Sequence, residues 1–148
     1  MNALIRLGNK ILDAAKFFTF IGPLLARITV GWVFVVSGWG KIHHIDKVIG
    51  FFTNLGIPAP VFQAHMTAYT ELIAGLLLIV GLASRISSVA LGIIMIVALK
   101  TALAEDICGF SDLVGISEYL YLVLMVWLAV AGPGKVALDH LIAKRYRR

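Results

Sequence analysis

Four long apolar runs, separated by short polar or glycine- and proline-bearing stretches, set the pattern of the chain. Ahead of them Leu4, Leu7, Ile11, Ala15 and Phe18 recur at spacings of three and four, with Arg6, Lys10, Asp13 and Lys16 between them. That alternation predicts an amphipathic helix lying in a headgroup layer, with a frayed, lysine-bearing terminus as the alternative. The apolar runs predict membrane-crossing helices at about Phe20 to Ile42, within Gly56 to Gly81, at Ile86 to Leu103 and at Ile116 to Ala131.

Within the first run Arg27, Gly31, Phe34, Gly38 and Lys41 share one helical face. In the second, Ala64, Ala68, Glu71, Gly75, Leu78 and Leu82 do the same. Small residues along both faces let two helices approach closely, so Glu71 is expected to look into a bundle and not out to lipid. A short apolar piece, Val48 to Leu55, precedes the second run, and Pro58 and Pro60 suit the start of a helix because they lack an amide proton. Arg85, Val89, Gly92, Ile96 and Lys100 lie along one side of the third run, and Gly132-Pro133-Gly134 ends the fourth.

Composition turns this pattern into a class. Of 148 residues 60% are hydrophobic and 14% charged, more apolar surface than a soluble domain of this size can hide. The expected fold is all-α: an integral membrane four-helix bundle over residues 19–143, an interfacial amphipathic helix over 1–18 and a basic tail over 144–148. The net charge of +5 resides at the chain ends and between apolar runs, a placement that fits lipid headgroups better than nucleic acid. The lysine and arginine bias puts both termini in the cytoplasm with Arg85 in a cytoplasmic loop, and the histidine loop and acidic Cys108 loop outside. No cleavable signal peptide is expected, because the first 16 residues are too polar for its apolar core.

Candidate chemistry begins with the two ionisable groups expected deepest, Arg27 and Glu71. Their estimated depths match, so they are expected to form a buried ion pair. That pair either fixes the register of the first two helices, or makes Glu71 a proton carrier or hydrogen-bond partner for a quinone headgroup. Lys41, Lys100 and Glu118 come from three helices near the outer surface and either cap helix ends or converge as a polar mouth. His43, His44 and His65 are the residue type that haem or copper takes, but neighbouring histidines on one helix point apart, so no metal site is expected. Cys108 is the only cysteine, which excludes an intramolecular disulfide and leaves it as a contact for a protein partner. Phosphate-loop, nucleophile-elbow, HExxH and dinucleotide fingerprints are absent.

The phrases ARITVGWVFVVSGWGKI, LGIPAP, ELIAGLLLIVGLASR and EYLYLVLMVWLAVAGPGKVALDHL, in that order and spacing, resemble the DoxX/DoxD family of small bacterial membrane proteins. The resemblance covers about Ala26 to Leu141. It implies a four-helix membrane bundle in the bacterial cytoplasmic membrane and matches Arg27, Lys41, Glu71, Arg85 and Glu118 to the family's polar positions. One departure is Ala137, where the family commonly has serine. Family members are linked to quinone-dependent sulfur oxidation and to thiol-stress complexes, so the implied role is a membrane subunit of an oxidoreductase assembly, with a protein partner and a quinone contact. A non-enzymatic scaffold that reads a partner or a metal-bearing peptide through its outer loops is the alternative, and a small transporter is the third.

Overall fold

A computed structural model describes residues 20–134, 136–139 and 145. The expected interfacial helix over 1–18 lies outside the described residues, as does the basic tail apart from the exposed Arg145. The described chain forms α1 (Ile21–His43), α2 (Ile45–Asn54), α3 (Pro60–Val80), α4 (Ser84–Thr101), a 3-10 turn (Ala104–Asp106), α5 (Phe110–Gly115) and α6 (Ser117–Ala131). α1, α3 and α4 are long and apolar enough to cross a membrane. α6 is apolar but has only 15 residues, about 22 Å of helix against a hydrocarbon core of ~30 Å. The fourth expected span is therefore present but short, preceded by α5 and the extended residue Ile116.

The stretch expected as a short apolar piece is a helix, α2, beginning at Ile45, and none of its residues is fully buried. Its apolar residues occupy one side, as an interfacial segment requires. Pro60 opens α3, and the preceding Ala59 takes a left-handed conformation (φ 50) that turns the chain into the helix. At the other end of α3, Gly81 is also left-handed (φ 79) and its N–H closes onto Leu77 and Leu78 carbonyls.

α1 and α3 run antiparallel with backbones almost touching. A Cβ on Gly31 would lie 2.9 Å from the Gly75 carbonyl oxygen, and one on Gly38 would lie 2.8 Å from that of Ala68. The seam of small residues thus fixes the α1–α3 register, since only glycine fits where backbone meets backbone. α4 and α6 form a second antiparallel pair, with Leu122 and Met125 lying over Gly92. Between the pairs, Val30, Phe34, Ala74, Leu78, Leu91, Met95, Met125 and Leu128 make the buried core. These residues lie toward the end where α3 passes into α4, here called the base. The opposite end, with α2, the Pro58–Pro60 turn and the loop before α6, is the mouth. Trp32, Trp39, Ile73, Ile93, Val126 and Val130 are exposed on the outer faces, where acyl chains would cover them.

Candidate functional site

Toward the mouth the two helix pairs separate around a cavity of about 1010 Å³. Phe34 and Met95, the upper limit of the core, also line it, and Phe34 meets Tyr121 edge-on at 6.1 Å between ring centres. Glu71 projects from α3 into the wall and is 1% exposed. Its Oε1 forms an ion pair with Lys41 Nζ, and its Oε2 accepts a hydrogen bond from Ser37 Oγ at 2.8 Å. Both oxygens are therefore held, as a buried carboxylate must be, and its charge is matched. Lys41 and Ser37 lie one turn apart on α1, so a single helix face supplies both partners. From the other side Glu118 and Tyr121 of α6 line the same cavity, and Glu118 Oε2 accepts from Ser117 Oγ at 3.0 Å.

The expected pair between Arg27 and Glu71 does not form. The glycine seam sets Arg27 opposite Gly81, whereas Glu71 lies level with Ser37, roughly 15 Å further along α1. Lys41 reaches back one turn to take the place assigned to Arg27. The expected mouth of Lys41, Lys100 and Glu118 is corrected likewise. Lys41 and Glu118 line one cavity, while Lys100 is exposed on α4 and lies outside its lining.

Arg27 belongs to a second buried group, at the base. Its Nη2 donates to the Val136 carbonyl at 3.0 Å, and the guanidinium packs on Gly81, where a Cβ would overlap it. Asp139 lies close enough to act on its charge. The Asp139 carboxylate accepts from the backbone N–H of Ala83 at 2.7 Å and of Ser84 at 2.9 Å, and its own N–H donates to Gly81 at 3.0 Å. Asp139 thus caps the first turn of α4 from the far end of the chain, with negative charge at the positive end of a helix. Nε and Nη1 of Arg27 and Oγ of Ser84 are buried without a partner among the described residues. Ala137, 2% exposed, packs against Gly81 in the same place. A serine there would bring a hydroxyl among these unpaired groups.

The remaining candidates are dispersed. Arg85, expected in a loop, is in the first turn of α4 and exposed, with Nη2 3.5 Å from the Val130 carbonyl. His43 Nδ1 lies 2.9 Å from the Trp39 carbonyl, and the two rings are 4.5 Å apart. His65 Nδ1 lies 2.8 Å from the Val61 carbonyl, while His44 lines the main cavity. Among the described residues no three of His, Cys, Asp and Glu gather as metal ligands. Cys108 is free and exposed, its N–H donating to the Asp112 carboxylate at 3.2 Å.

Comparison with known proteins agrees with this architecture. The family model described as DoxX matches residues 22–104. The chain belongs to the DoxX family. It is 35% identical over 125 residues to a Bacillus subtilis protein named "Putative oxidoreductase CatD", covering 84% of this chain and 89% of that one. An uncharacterized membrane protein of Mycobacterium tuberculosis is 30% identical over 133 residues, 80% of each chain. The Escherichia coli inner membrane protein YphA is 28% identical over 127 residues, 79% of this chain and 87% of that one. No solved structure gives a significant match. The DoxX match takes in α1 to α4, and with them Lys41, Glu71 and Ser37; Glu118 and Asp139 lie beyond it.

Ser37, Tyr121 and Asp139 escape a reading of the sequence alone. Ser37 carries a usable signal, since it lies one turn before Lys41 on the α1 face. Asp139 carries none, because its partner is backbone at the far end of α3.

Proposed function

We propose that this DoxX protein is a membrane subunit of a bacterial oxidoreductase assembly and that its mouth cavity holds the headgroup of a lipid-soluble quinone. The observation that carries this reading is the cavity itself: it is at the upper end of the ~300–1,000 Å³ typical of small-molecule sites, with a buried Lys41–Glu71 pair in its wall. An ammonium, a carboxylate and the hydroxyls of Ser37 and Tyr121, set among Phe34, Ile94 and Met95, suit a flat apolar ring with a polar oxygen at either end. A bound quinone supplies the two-electron carrier, with the electrons delivered by a partner protein. Lys41 Nζ would donate to a ring oxygen, and Glu71 would accept or return the proton that reduction and oxidation demand. Glu118, on the facing wall, gives the cavity a second carboxylate nearer the mouth. The name of the Bacillus subtilis relative agrees with a redox role. In this reading the base faces the cytoplasm and the mouth faces outward, following the lysine and arginine bias.

The test is a titration of purified protein in mild detergent with a water-dispersible quinone, reading thermal stability. The melting temperature should rise with quinone, and Glu71→Gln should abolish the rise while the variant remains folded. A wild type indifferent to quinone would remove the reading.

A second reading, a scaffold without redox chemistry, is favoured by the loop between α4 and α6. It presents the free Cys108 beside Phe110, whose side chain is 76% exposed. A partner retained through mild-detergent purification and released by Phe110→Ser, in a protein unaffected by quinone, would favour it.

A further inference from the structure

The cavity is not bounded equally on all sides. Ser37, Lys41 and Glu71 form its polar wall along α1 and α3, and Tyr121 and Glu118 face it from α6. Between α3 and α4 the lining is apolar and interrupted. Met66, Ile93 and Val97 all line the cavity, yet they are 50%, 56% and 47% exposed. A side chain that borders an enclosed space and is also half open to the exterior is the rim of an aperture. Its origin is the fold: α3 and α4 are tied by Gly81–Ala83 at the base, and the core fills only that half. Toward the mouth they flank the cavity with no core side chain between them.

α3 and α4 are both of membrane-crossing length and composition, so an aperture between them faces acyl chains and not water. Its rim is also apolar, without a charge that would have to be stripped of water on passage. We infer that the cavity is loaded sideways, from within the bilayer, through the gap between α3 and α4. The occupant is an amphiphile whose polar ring reaches Lys41 and Glu71 while its long apolar tail remains between Met66, Ile93 and Val97. This inference rests on the quinone reading and extends it to the tail, to the route and to the face of the protein on which exchange occurs. The volume supports it, because a ring alone would leave much of about 1010 Å³ unfilled.

The test uses the full chain in lipid nanodiscs and two probes that share one ring: a quinone with a long isoprenoid tail and the same quinone without it. Ala90→Trp adds bulk to the α4 side of the lining, next to Ile93, and Ile93→Ala enlarges the gap. The association rate of the tailed quinone should fall about tenfold in Ala90→Trp and rise in Ile93→Ala, while the affinity of the tailless ring changes less than about twofold in either. An unchanged rate for the tailed quinone in both variants overturns the lateral route, as does a wild type that binds the tailless ring and rejects the tailed one. Equal losses for both probes in Ala90→Trp, with no gain in Ile93→Ala, would also count against it. A wild type that binds neither probe fails the quinone reading itself, a result distinct from the others, and the route falls with it.

Discussion

Arg27 at the base and Glu71 near the mouth are equally buried, at 1% exposure, yet their surroundings differ in kind. Arg27 is enclosed by backbone: the Val136 carbonyl, the Gly81 turn and a chain segment that Asp139 fastens to α4. Glu71 is held by two side chains of α1 and borders open volume. Backbone partners cannot turn away without undoing a turn, whereas Lys41, 28% exposed, can exchange its partner by rotating its stem. Burial of a charge is thus no guide to function by itself. The type of partner, and whether space adjoins it, separates the charge that locks the fold from the charge that can meet a ligand.

The sharpest way to break this contrast is to attack both charges. Asp139→Ala removes two hydrogen bonds at the α4 start and the negative charge nearest Arg27. It should cost about 3–5 kcal/mol, seen as a large fall in melting temperature in detergent. Glu71→Gln should cost less, about 1–2 kcal/mol, because Lys41 can turn outward and the amide oxygen still accepts from Ser37. Its signature is instead the loss of the quinone-induced shift. If Glu71→Gln proved as damaging as Asp139→Ala, the mouth pair would be structural and the contrast would fail.

Smaller changes sharpen the same comparison. Ala137→Ser places a hydroxyl beside the unpaired groups of Arg27 and Ser84 and should raise stability by about 1 kcal/mol, with the quinone response unaltered. Ala83 at the base and Ala59 at the mouth both take left-handed backbone, at φ 49 and φ 50. Glycine at either position relieves that strain against a loss of chain entropy, so each should gain about 0.5 kcal/mol, read as a modest rise in melting temperature. Lys100→Ala, at an exposed position away from the cavity, should leave both melting temperature and quinone response unchanged.

Much of the scaffold was legible because the lipid-crossing pattern is coarse and the small-residue faces are periodic. Gly31 and Gly38 on α1, and Ala68 and Gly75 on α3, mark the contact seam directly, and the inward aim of Glu71 follows from sharing that face. What the pattern could not yield was axial register. Matching Arg27 to Glu71 by their estimated depths misplaces them, since the glycines slide α1 along α3 until Gly31 meets Gly75 and Gly38 meets Ala68. Helical faces are read from spacing, but height along a neighbour is decided by which backbones can touch. The mouth group suffered from the same limit: Lys41 and Glu118 converge on the cavity, and Lys100, on the outward side of α4, does not. Asp139 was invisible because its hydrogen-bond acceptor role depends on a turn more than fifty residues earlier in the chain.

That distance in sequence has a consequence for how the protein is made. The ribosome releases α4 long before it releases the carboxylate that seals its first turn, and Arg27 emerges earlier still. Throughout elongation the nascent chain must shelter an arginine whose carbonyl acceptor and nearest counter-charge do not yet exist, so closure of the base belongs to the last moments of synthesis. Shortening the gene by even a dozen codons would leave every apolar helix intact and still deny the bundle its final fastening.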